Sequence, residues 1–268
     1  MKPMLEPNGE ISDFTLTILY TTDVHGNVLP HHYANNEPSP TGLARLAPLI
    51  RSERARHEHT LLLDNGDLIQ GTPFTYYYSR FASDAPHPMI RVLNELGYEG
   101  AVIGNHEFNY GMDLLNKAVR ESNFPWMAAN IVDAESGEPY FGKPYLIKEY
   151  PGGVRVGVLG LTTQYIPNWE HPRNVTGLAF KDACETAKTW VKFLREEERA
   201  DLVVVSYHGG FERSLETGEL TENESGENQG YRICMEVPGI DILLTGHQHR
   251  EIDGAYINGV RIIQAGGM

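Results

Sequence analysis

Five short apolar segments of this sequence each lead directly into a loop that carries aspartate, histidine or asparagine, and this arrangement constrains the fold more than any other feature. The apolar segments are residues 15–20, 60–63, 101–103, 202–206 and 240–244. Runs of this length, rich in β-branched and aliphatic residues, are typical of buried strands. Segments with the apolar spacing of helices lie between them, at residues 42–53, 88–96, 113–121 and 180–197. Strand and helix therefore alternate, which predicts a layered α/β domain.

The remaining segments fit the same organisation. Residues 126–129 and 154–161 read as two further strands, and residues 256–264 as a closing hairpin with Asn258–Gly259 at its turn. Residues 212–230 are polar and acidic, which predicts a mobile surface loop. The two cysteines, Cys184 and Cys234, lie in no metal-binding motif and are interpreted as buried free thiols.

The polar residues that follow the five apolar segments form a candidate metal site. In open α/β sheets, functional groups gather at the carboxyl ends of strands, so loops that are distant in sequence meet in space. Carboxylate, amide and imidazole donors together suit Mn, Fe, Zn or similar divalent ions. The residues are Asp23, His25, Asp67, Asn105, His106, His208, His247 and His249.

The distribution of histidine supports this interpretation. The chain has 11 histidines, and those of the candidate site all follow a predicted strand. An isolated Asp-x-His is common and means little, whereas five such loops in order are hard to attribute to chance. The other histidines lie in polar loops or beside proline and are interpreted as solvated surface: His31, His32, His57, His59, His87 and His171.

Charge and hydropathy limit the partners. A net charge of −14 argues against binding to a nucleic acid polymer, because there is no surplus of basic residues to release counterions. An anionic small molecule stays possible, since two buried divalent cations would reverse the local field. No apolar run approaches the roughly 20 residues of a membrane span. Residues 1–12 lack an apolar signal core, which predicts a cytoplasmic protein, or an extracellular or cell-wall protein if an export signal was removed before Met1.

The motifs in these loops resemble those of a known family. They are Asp23–Val24–His25, Gly66–Asp67, Gly104–Asn105–His106–Glu107, His208–Gly209 and Gly246–His247–Gln248–His249. Their order resembles the calcineurin-like metallophosphoesterases. The longer matches at residues 65–71 and 104–111 are most similar to the group of 2',3'-cyclic-nucleotide 2'-phosphodiesterase/3'-nucleotidases, and the resemblance covers nearly the whole chain.

The resemblance implies a fold and a set of residue roles. The fold would be a layered α/β/β/α sandwich over residues 14–268, after a tail at residues 1–13, with a C-terminal substrate-binding domain in the full-length protein. Asp23, His25 and His249 would hold one divalent ion. Asn105, His208 and His247 would hold a second, with Asp67 bridging the two. Asn105 and His106 would contact the substrate, and His106 would stabilise charge on the phosphoryl group or protonate the leaving oxygen.

Asn109 departs from part of that family. The resemblance places an aspartate there in 5'-nucleotidases, three residues after the catalytic histidine. An amide can hydrogen-bond the imidazole but cannot stabilise its charged form as a carboxylate does. We therefore expect the pKa of His106 to be raised less than beside an aspartate. Asn109 favours 2',3'-cyclic and 3'-phosphates as substrates, and the alternative that it only turns the loop before Gly111 stays open.

The favoured function is a two-metal hydrolase of nucleotide phosphate esters, a 2',3'-cyclic-nucleotide phosphodiesterase/3'-nucleotidase. Two ions about 3.5–4 Å apart would hold a hydroxide that attacks phosphorus in line. The alternatives are a 5'-nucleotidase, another phosphatase or phosphodiesterase acting on esters such as nucleotide sugars, and an inactive metal-binding scaffold. Phe108 and Trp126 are assigned to packing. Several aromatic residues could line the substrate pocket, although such residues are more often core: Phe74, Tyr76, Tyr77, Tyr78, Tyr110 and Trp169.

Overall fold

The computed structural model describes residues 14–267 and, before them, strands β1 (Met4–Leu5) and β2 (Ile11–Ser12), which pair antiparallel. The rest of the predicted tail at residues 1–13, and Met268, lie outside the described residues. Two larger sheets carry the fold, and each contains predicted strands from one half of the chain.

The first sheet comes from the first half of the chain. Its four strands are parallel and lie side by side in chain order. They are β3 (Thr17–Thr21), β4 (Thr60–Asp64), β5 (Gly100–Val102) and β6 (Trp126–Met127). Leu61, Leu62 and Leu63 are all buried, as expected for a parallel strand that is covered on both faces.

The second sheet comes from the second half and has six strands in the order β13-β14-β12-β11-β9-β8. Its central strands are parallel, and β8 and β13 pair antiparallel at the edges. The strands are β8 (Tyr145–Tyr150), β9 (Val154–Thr162), β11 (Leu202–His208), β12 (Ile242–Thr245), β13 (Glu251–Ile257) and β14 (Val260–Ala265). A small antiparallel pair joins β7 (Ile131–Asp133) to β10 (Leu178–Phe180).

Six α-helices cover these sheets within the described part of the chain. They are α1 (Leu43–Arg56), α2 (Pro73–Phe81), α3 (Pro88–Leu96), α4 (Met112–Glu121), α5 (Ala183–Glu196) and α6 (Gly230–Glu236). Local sequence sets several ends. Asp182 caps α5 by accepting the N–H of Glu185 at 2.9 Å. Pro88 begins α3, and Gly97 ends it with a φ of 71°. No described helix is long and apolar enough to cross a bilayer.

Three apolar clusters give the order of the layers. In one, Leu93 of α3 and Leu115 of α4 pack with Leu62 of the first sheet. In another, residues of α5 and α6 pack on the second sheet. The third joins the two sheets face to face, and its buried members are Leu61, Leu63, Met127, Tyr150, Val156, Val158, Val204 and Leu244. The predicted layered α/β/β/α sandwich is confirmed.

Several elements differ from the sequence prediction. Helix α2 was not predicted from the sequence, and it forms where Thr72 makes a capping box with Thr75 and Pro73 starts the helix. Strand β8 and helix α6 were not predicted. Residues 212–229 contain no helix or strand, as predicted, yet Glu212 and Gln229 are buried. The Glu212 carboxylate accepts two backbone N–H groups at the start of α6, so the ends of the loop are tied to the fold.

Candidate metal centre

The five predicted loops meet at the carboxyl ends of the two sheets. Asp67 follows β4 in the first sheet, and His208 ends β11 in the second, yet His208 Nε2 lies 3.2 Å from Asp67 Oδ2. The loops after β3 and β12 meet in the same way, since His249 Nε2 lies 3.3 Å from Asp23 Oδ1. The packing of the two sheets therefore brings together residues that are more than 100 positions apart.

The predicted metal donors form two groups, and a third group of His25, Asp67 and His106 overlaps both. Asp23, His25 and His249 each offer one donor within 4.8 Å of the others, and Asp67, His208 and His247 do the same. His25 Nε2 is 3.9 Å from Asp67 Oδ2, which places Asp67 between the groups. Asn105 Oδ1 lies 3.1 Å from His208 Nε2 and so belongs to the second group. All the residues predicted to bind metal lie in this cluster.

The backbone of these loops is strained where the candidate donors lie. Non-glycine residues rarely adopt a positive φ, and such conformations concentrate at functional sites. Five of the candidate donors have one: Asp23 (52°), His25 (49°), Asp67 (55°), His247 (67°) and His249 (53°). Glycine permits the close approach of the loops around them. A Cβ added to Gly66, where φ is 95°, would lie 2.7 Å from His208 Nδ1.

Buried polar groups hold the loops of the first sheet. The Glu107 carboxylate accepts the backbone N–H groups of Asp67, Leu68, Ile69 and Gly104 at 2.9, 2.6, 3.2 and 2.7 Å. Asp64 accepts the Thr21 hydroxyl at 2.7 Å and the Gly66 N–H at 3.1 Å, and burial raises the pKa of Asp64 to about 8. Glu107 belongs to a recognised motif, but its function as an anchor becomes visible only in this geometry.

The imidazoles are oriented by partners on the nitrogen that faces away from the cluster. His25 Nδ1 donates to Gln70 O at 3.1 Å and His208 Nδ1 to Asn65 O at 2.7 Å, which turns Nε2 of each ring toward the cluster. His247 is turned the other way, since its Nε2 contacts Glu227 Oε1 at 3.1 Å. Metal-binding histidines have such outer partners as a rule, because they fix the ring and its tautomer.

The electrostatics of the cluster fit a bound cation. Asp23 and Asp67 are almost fully buried, and a nearby positive charge offsets the cost of burying an ionised carboxylate. Burial lowers the pKa of His208, but the nearby carboxylates, Asp67 first and then Asp23 and Glu107, more than reverse this effect and raise the pKa to about 10. Burial lowers the pKa of His25 and of His247. A divalent ion would supply the positive charge that His208 otherwise supplies, and would bind the neutral imidazole, so the donor set fits the implied ions.

His106 points into a cavity beside the cluster. The cavity has a volume of about 270 Å³, and Asn105, His106, Asn109, Ile166, Trp169, Glu170 and His247 line it. The backbone N–H of His106 donates to Asp67 Oδ1 at 2.8 Å. In the ring of His106, Nδ1 contacts Asn109 Oδ1 at 2.6 Å. Both residues predicted to assist the chemistry therefore border this space.

Some sequence interpretations of individual residues were wrong. His87 was assigned to the solvated surface, but it is fully buried, because the start of α3 packs its ring against Tyr78 with 4.7 Å between ring centroids. Of the possible pocket aromatics, Trp169 lines the cavity, Tyr78 is buried, and Tyr76 and Tyr77 lie on the exposed face of α2. Phe108 and Trp126 are buried, and so are the free thiols of Cys184 and Cys234.

Family comparison agrees with this fold and site. The calcineurin-like phosphoesterase family matches residues 16–251, so the chain belongs to that family. Over 264 residues it is 36% identical to a 2',3'-cyclic-nucleotide 2'-phosphodiesterase/3'-nucleotidase of Yersinia enterocolitica, covering 93% of this chain and 39% of that protein. It is 31% identical over 247 residues to a 5'-nucleotidase of Vibrio cholerae, covering 85% of this chain and 42% of that protein.

A solved structure supports the same assignment. The calcineurin-like phosphoesterase YfkN from Bacillus subtilis superposes with a TM-score of 0.83 at 32% identity, covering 94% of this chain and 81% of that chain. The predicted membership of the family is confirmed, and divalent metal ions are what this family implies. The chain spans about two fifths of the length of the two curated relatives.

Proposed function

We propose that the chain binds two divalent metal ions, one at Asp23, His25 and His249 and one at Asn105, His208 and His247, with Asp67 shared between them. The observation that carries this proposal is the position of Asp67 Oδ2, which lies 3.9 Å from His25 Nε2 and 3.2 Å from His208 Nε2. Ions held here would polarise a phosphate ester and activate water at neutral pH. Mn, Fe and Zn are all compatible with the mixed oxygen and nitrogen donors.

We propose further that the protein hydrolyses phosphate esters of nucleotides, with 2',3'-cyclic nucleotides and 3'-nucleotides preferred. The motifs at residues 65–71 and 104–111, Asn109, and the name of the relative from Yersinia enterocolitica support this substrate class. The 5'-nucleotidase of Vibrio cholerae supports the alternative of 5'-monophosphates. Other phosphate esters are a further alternative, and a scaffold that binds metal without turnover is an alternative of another class.

The protein groups around the cavity have separate tasks in such a reaction. His106 Nδ1 is held by Asn109, so Nε2 is the nitrogen available to a substrate in the cavity. In the protonated ring, Nε2–H can donate to a phosphoryl oxygen as negative charge develops, or pass its proton to the leaving oxygen. Such transfer contributes about 10²–10⁴-fold to rate. Asn105 also lines the cavity, so its amide would contact the same phosphate.

A substrate panel on metal-loaded protein tests this proposal. The chain would be loaded with Mn²⁺ and offered a chromogenic phosphodiester, 2',3'-cyclic AMP, 3'-AMP and 5'-AMP, alone and in a version extended past Met268. We expect hydrolysis of the phosphodiester, with the cyclic nucleotide and 3'-AMP cleaved faster than 5'-AMP. The His106→Ala variant is the matched control, because it should retain metal while losing about 10²–10⁴-fold in kcat. If the metal-loaded protein cleaves none of these esters, the proposed hydrolysis is wrong and the alternative of a scaffold that binds metal without turnover is supported.

A further inference from the structure

A chain of hydrogen bonds leads away from His106 to a carboxylate outside the recognised motifs. His106 Nδ1 meets Asn109 Oδ1 at 2.6 Å, and Asn109 Nδ2 donates to Glu170 Oε2 at 2.8 Å. Glu170 is 61 positions further along the chain than Asn109, in the irregular segment after β9. Both Asn109 and Glu170 line the cavity beside the candidate metal centre.

The carboxylate fixes the direction of the whole chain of bonds. An ionised carboxylate only accepts, so the amide of Asn109 must present its NH₂ group to Glu170. The amide oxygen is then the atom that faces His106, and an oxygen needs a proton on the opposing nitrogen. His106 Nδ1 therefore carries the hydrogen, and in the neutral ring Nε2 is left unprotonated toward the cavity.

The Glu170 carboxylate is itself held in place. Its other oxygen, Oε1, accepts the backbone N–H of His171 at 2.6 Å and the Asn174 side-chain amide at 2.9 Å. With both oxygens engaged, the side chain has one well-defined orientation. Position 109 has an amide in place of a carboxylate. Glu170 supplies a carboxylate on the far side of that amide from His106.

We infer that Glu170 is a positioning residue for the proposed hydrolysis: it orients the Asn109 amide and thereby sets the tautomer of His106. This inference rests on the proposed function, because it assigns a partner to the same histidine. Without the carboxylate, the Asn109 amide could turn over and present NH₂ to His106 instead, which would place the imidazole hydrogen on Nε2. The Nδ1 hydrogen would then have no acceptor at Asn109, although the protonated form of His106 that is proposed to donate to the substrate carries one.

The tautomer can be measured directly. Histidine labelled with ¹⁵N in the Zn²⁺-loaded chain reports which ring nitrogen carries the hydrogen, and the His106→Ala spectrum assigns the signal. We expect Nδ1–H in the unsubstituted protein. In Glu170→Gln we expect Nε2–H, because the new amide keeps its oxygen on the His171 N–H and the Asn174 side chain and so presents NH₂ to Asn109, whose own amide then turns over. Nε2–H in the unsubstituted protein, or an unchanged tautomer in the variant, would overturn the inference. This readout requires no turnover.

A second pair of variants separates orientation from a merely structural role. In the Asn109→Asp background, position 109 has no N–H to donate, and its carboxylate would face that of Glu170 at close range. Adding Glu170→Gln there restores a donor. We therefore expect Glu170→Gln to lower kcat about 10-fold in the parent with KM little changed, and to raise kcat in the Asn109→Asp background.

The direction of the two effects decides the outcome. If the carboxylate only stabilises the segment at residues 170–174, Glu170→Gln would change kcat in the same direction in both backgrounds. That result would refute the assigned role. Glu216→Gln is the matched control for loss of one charge, since Glu216 is exposed, and it should leave kcat unchanged. If the unsubstituted protein cleaves no ester, the proposed function fails, and the ¹⁵N measurement still tests the orientation of His106.

Discussion

The first sheet contributes the carboxylate and amide oxygens of the candidate centre and one imidazole, whereas the second sheet contributes imidazole nitrogens alone. Loops of the first sheet carry Asp23, His25, Asp67 and Asn105, and those of the second carry His208, His247 and His249. Each proposed ion would draw donors from both sheets. Negative charge thus comes from one half of the chain, and neither half has a complete donor set. The centre therefore depends on the apolar contact between the sheets.

Asp67 and His247, one donor from each half, are also held by different means. The anchors of the first half are interior groups, since Asp64, Asn65 and Glu107 are fully buried. In the second half, His247 is held by Glu227, whose side chain is 33% exposed and lies in the acidic loop. An interior anchor is part of the folded core, whereas a surface anchor can be removed without disturbing it.

Asp67→Asn should have the largest effect, because Asp67 is the contact between the halves. An amide carries no negative charge and offers one oxygen in place of two, so we expect loss of both ions and of hydrolysis. Elemental analysis after dialysis would measure the metal, and the chromogenic phosphodiester the activity. His106→Ala is the control that should retain metal. Full occupancy in Asp67→Asn would contradict the shared position of Asp67.

Glu107→Ala should destabilise the fold as well as the centre. Four backbone N–H groups would lose their acceptor, and each buried unsatisfied group costs about 1–3 kcal/mol. With partial relaxation, we expect the free energy of unfolding to fall by more than about 3 kcal/mol, as measured by urea denaturation of the metal-free protein. Glu135→Ala, at an exposed position, is the control. A stability equal to that of the control would show that Glu107 is no core anchor.

The donors of both halves could be predicted from the sequence, whereas the groups that orient them could not. Asp67 and His208 directly follow or end apolar strands, and strand polarity alone places such residues at one edge. The partners of the imidazoles are either backbone carbonyls, such as those of Gln70 and Asn65, or carboxylates on irregular segments, such as Glu227. Neither kind of partner leaves a periodic pattern in the sequence, because its contact with the imidazole depends on how the loops fold over the sheets.

Glu227→Gln should weaken metal binding without weakening the fold. A carboxylate beside His247 Nε2 favours the ring orientation that leaves Nδ1 free, and loss of such an outer partner typically lowers metal affinity by about 10–100-fold. Titration with Mn²⁺ should show this loss at one of two sites. Unfolding of the metal-free variant should match that of the parent. A large drop in that stability would remove the distinction between interior and surface anchors.

His87→Phe should have the smallest effect and concerns the helix layer of the first half. Both ring nitrogens of His87 lack a hydrogen-bond partner among the described residues, so an apolar ring of similar shape fits the site. Burial, with a smaller contribution from Lys117, lowers the pKa of His87 from 6.5 to about 3. Below about pH 6.5 the unfolded chain therefore binds a proton that the folded protein excludes, and stability is lost as the pH falls toward 3.

The difference in the free energy of unfolding between His87→Phe and the parent isolates the contribution of His87. Other titrating groups are shared, so the free energy of unfolding of His87→Phe relative to the parent should rise by about 1 kcal/mol between pH 8 and pH 6. Urea midpoints across that range would measure it, and His32→Phe is the control, because His32 is exposed. Parallel pH profiles would mean that His87 takes up a proton in the folded state. The interior of the first half would then tolerate a charge. The difference between its interior anchors and the surface anchor Glu227 would be smaller.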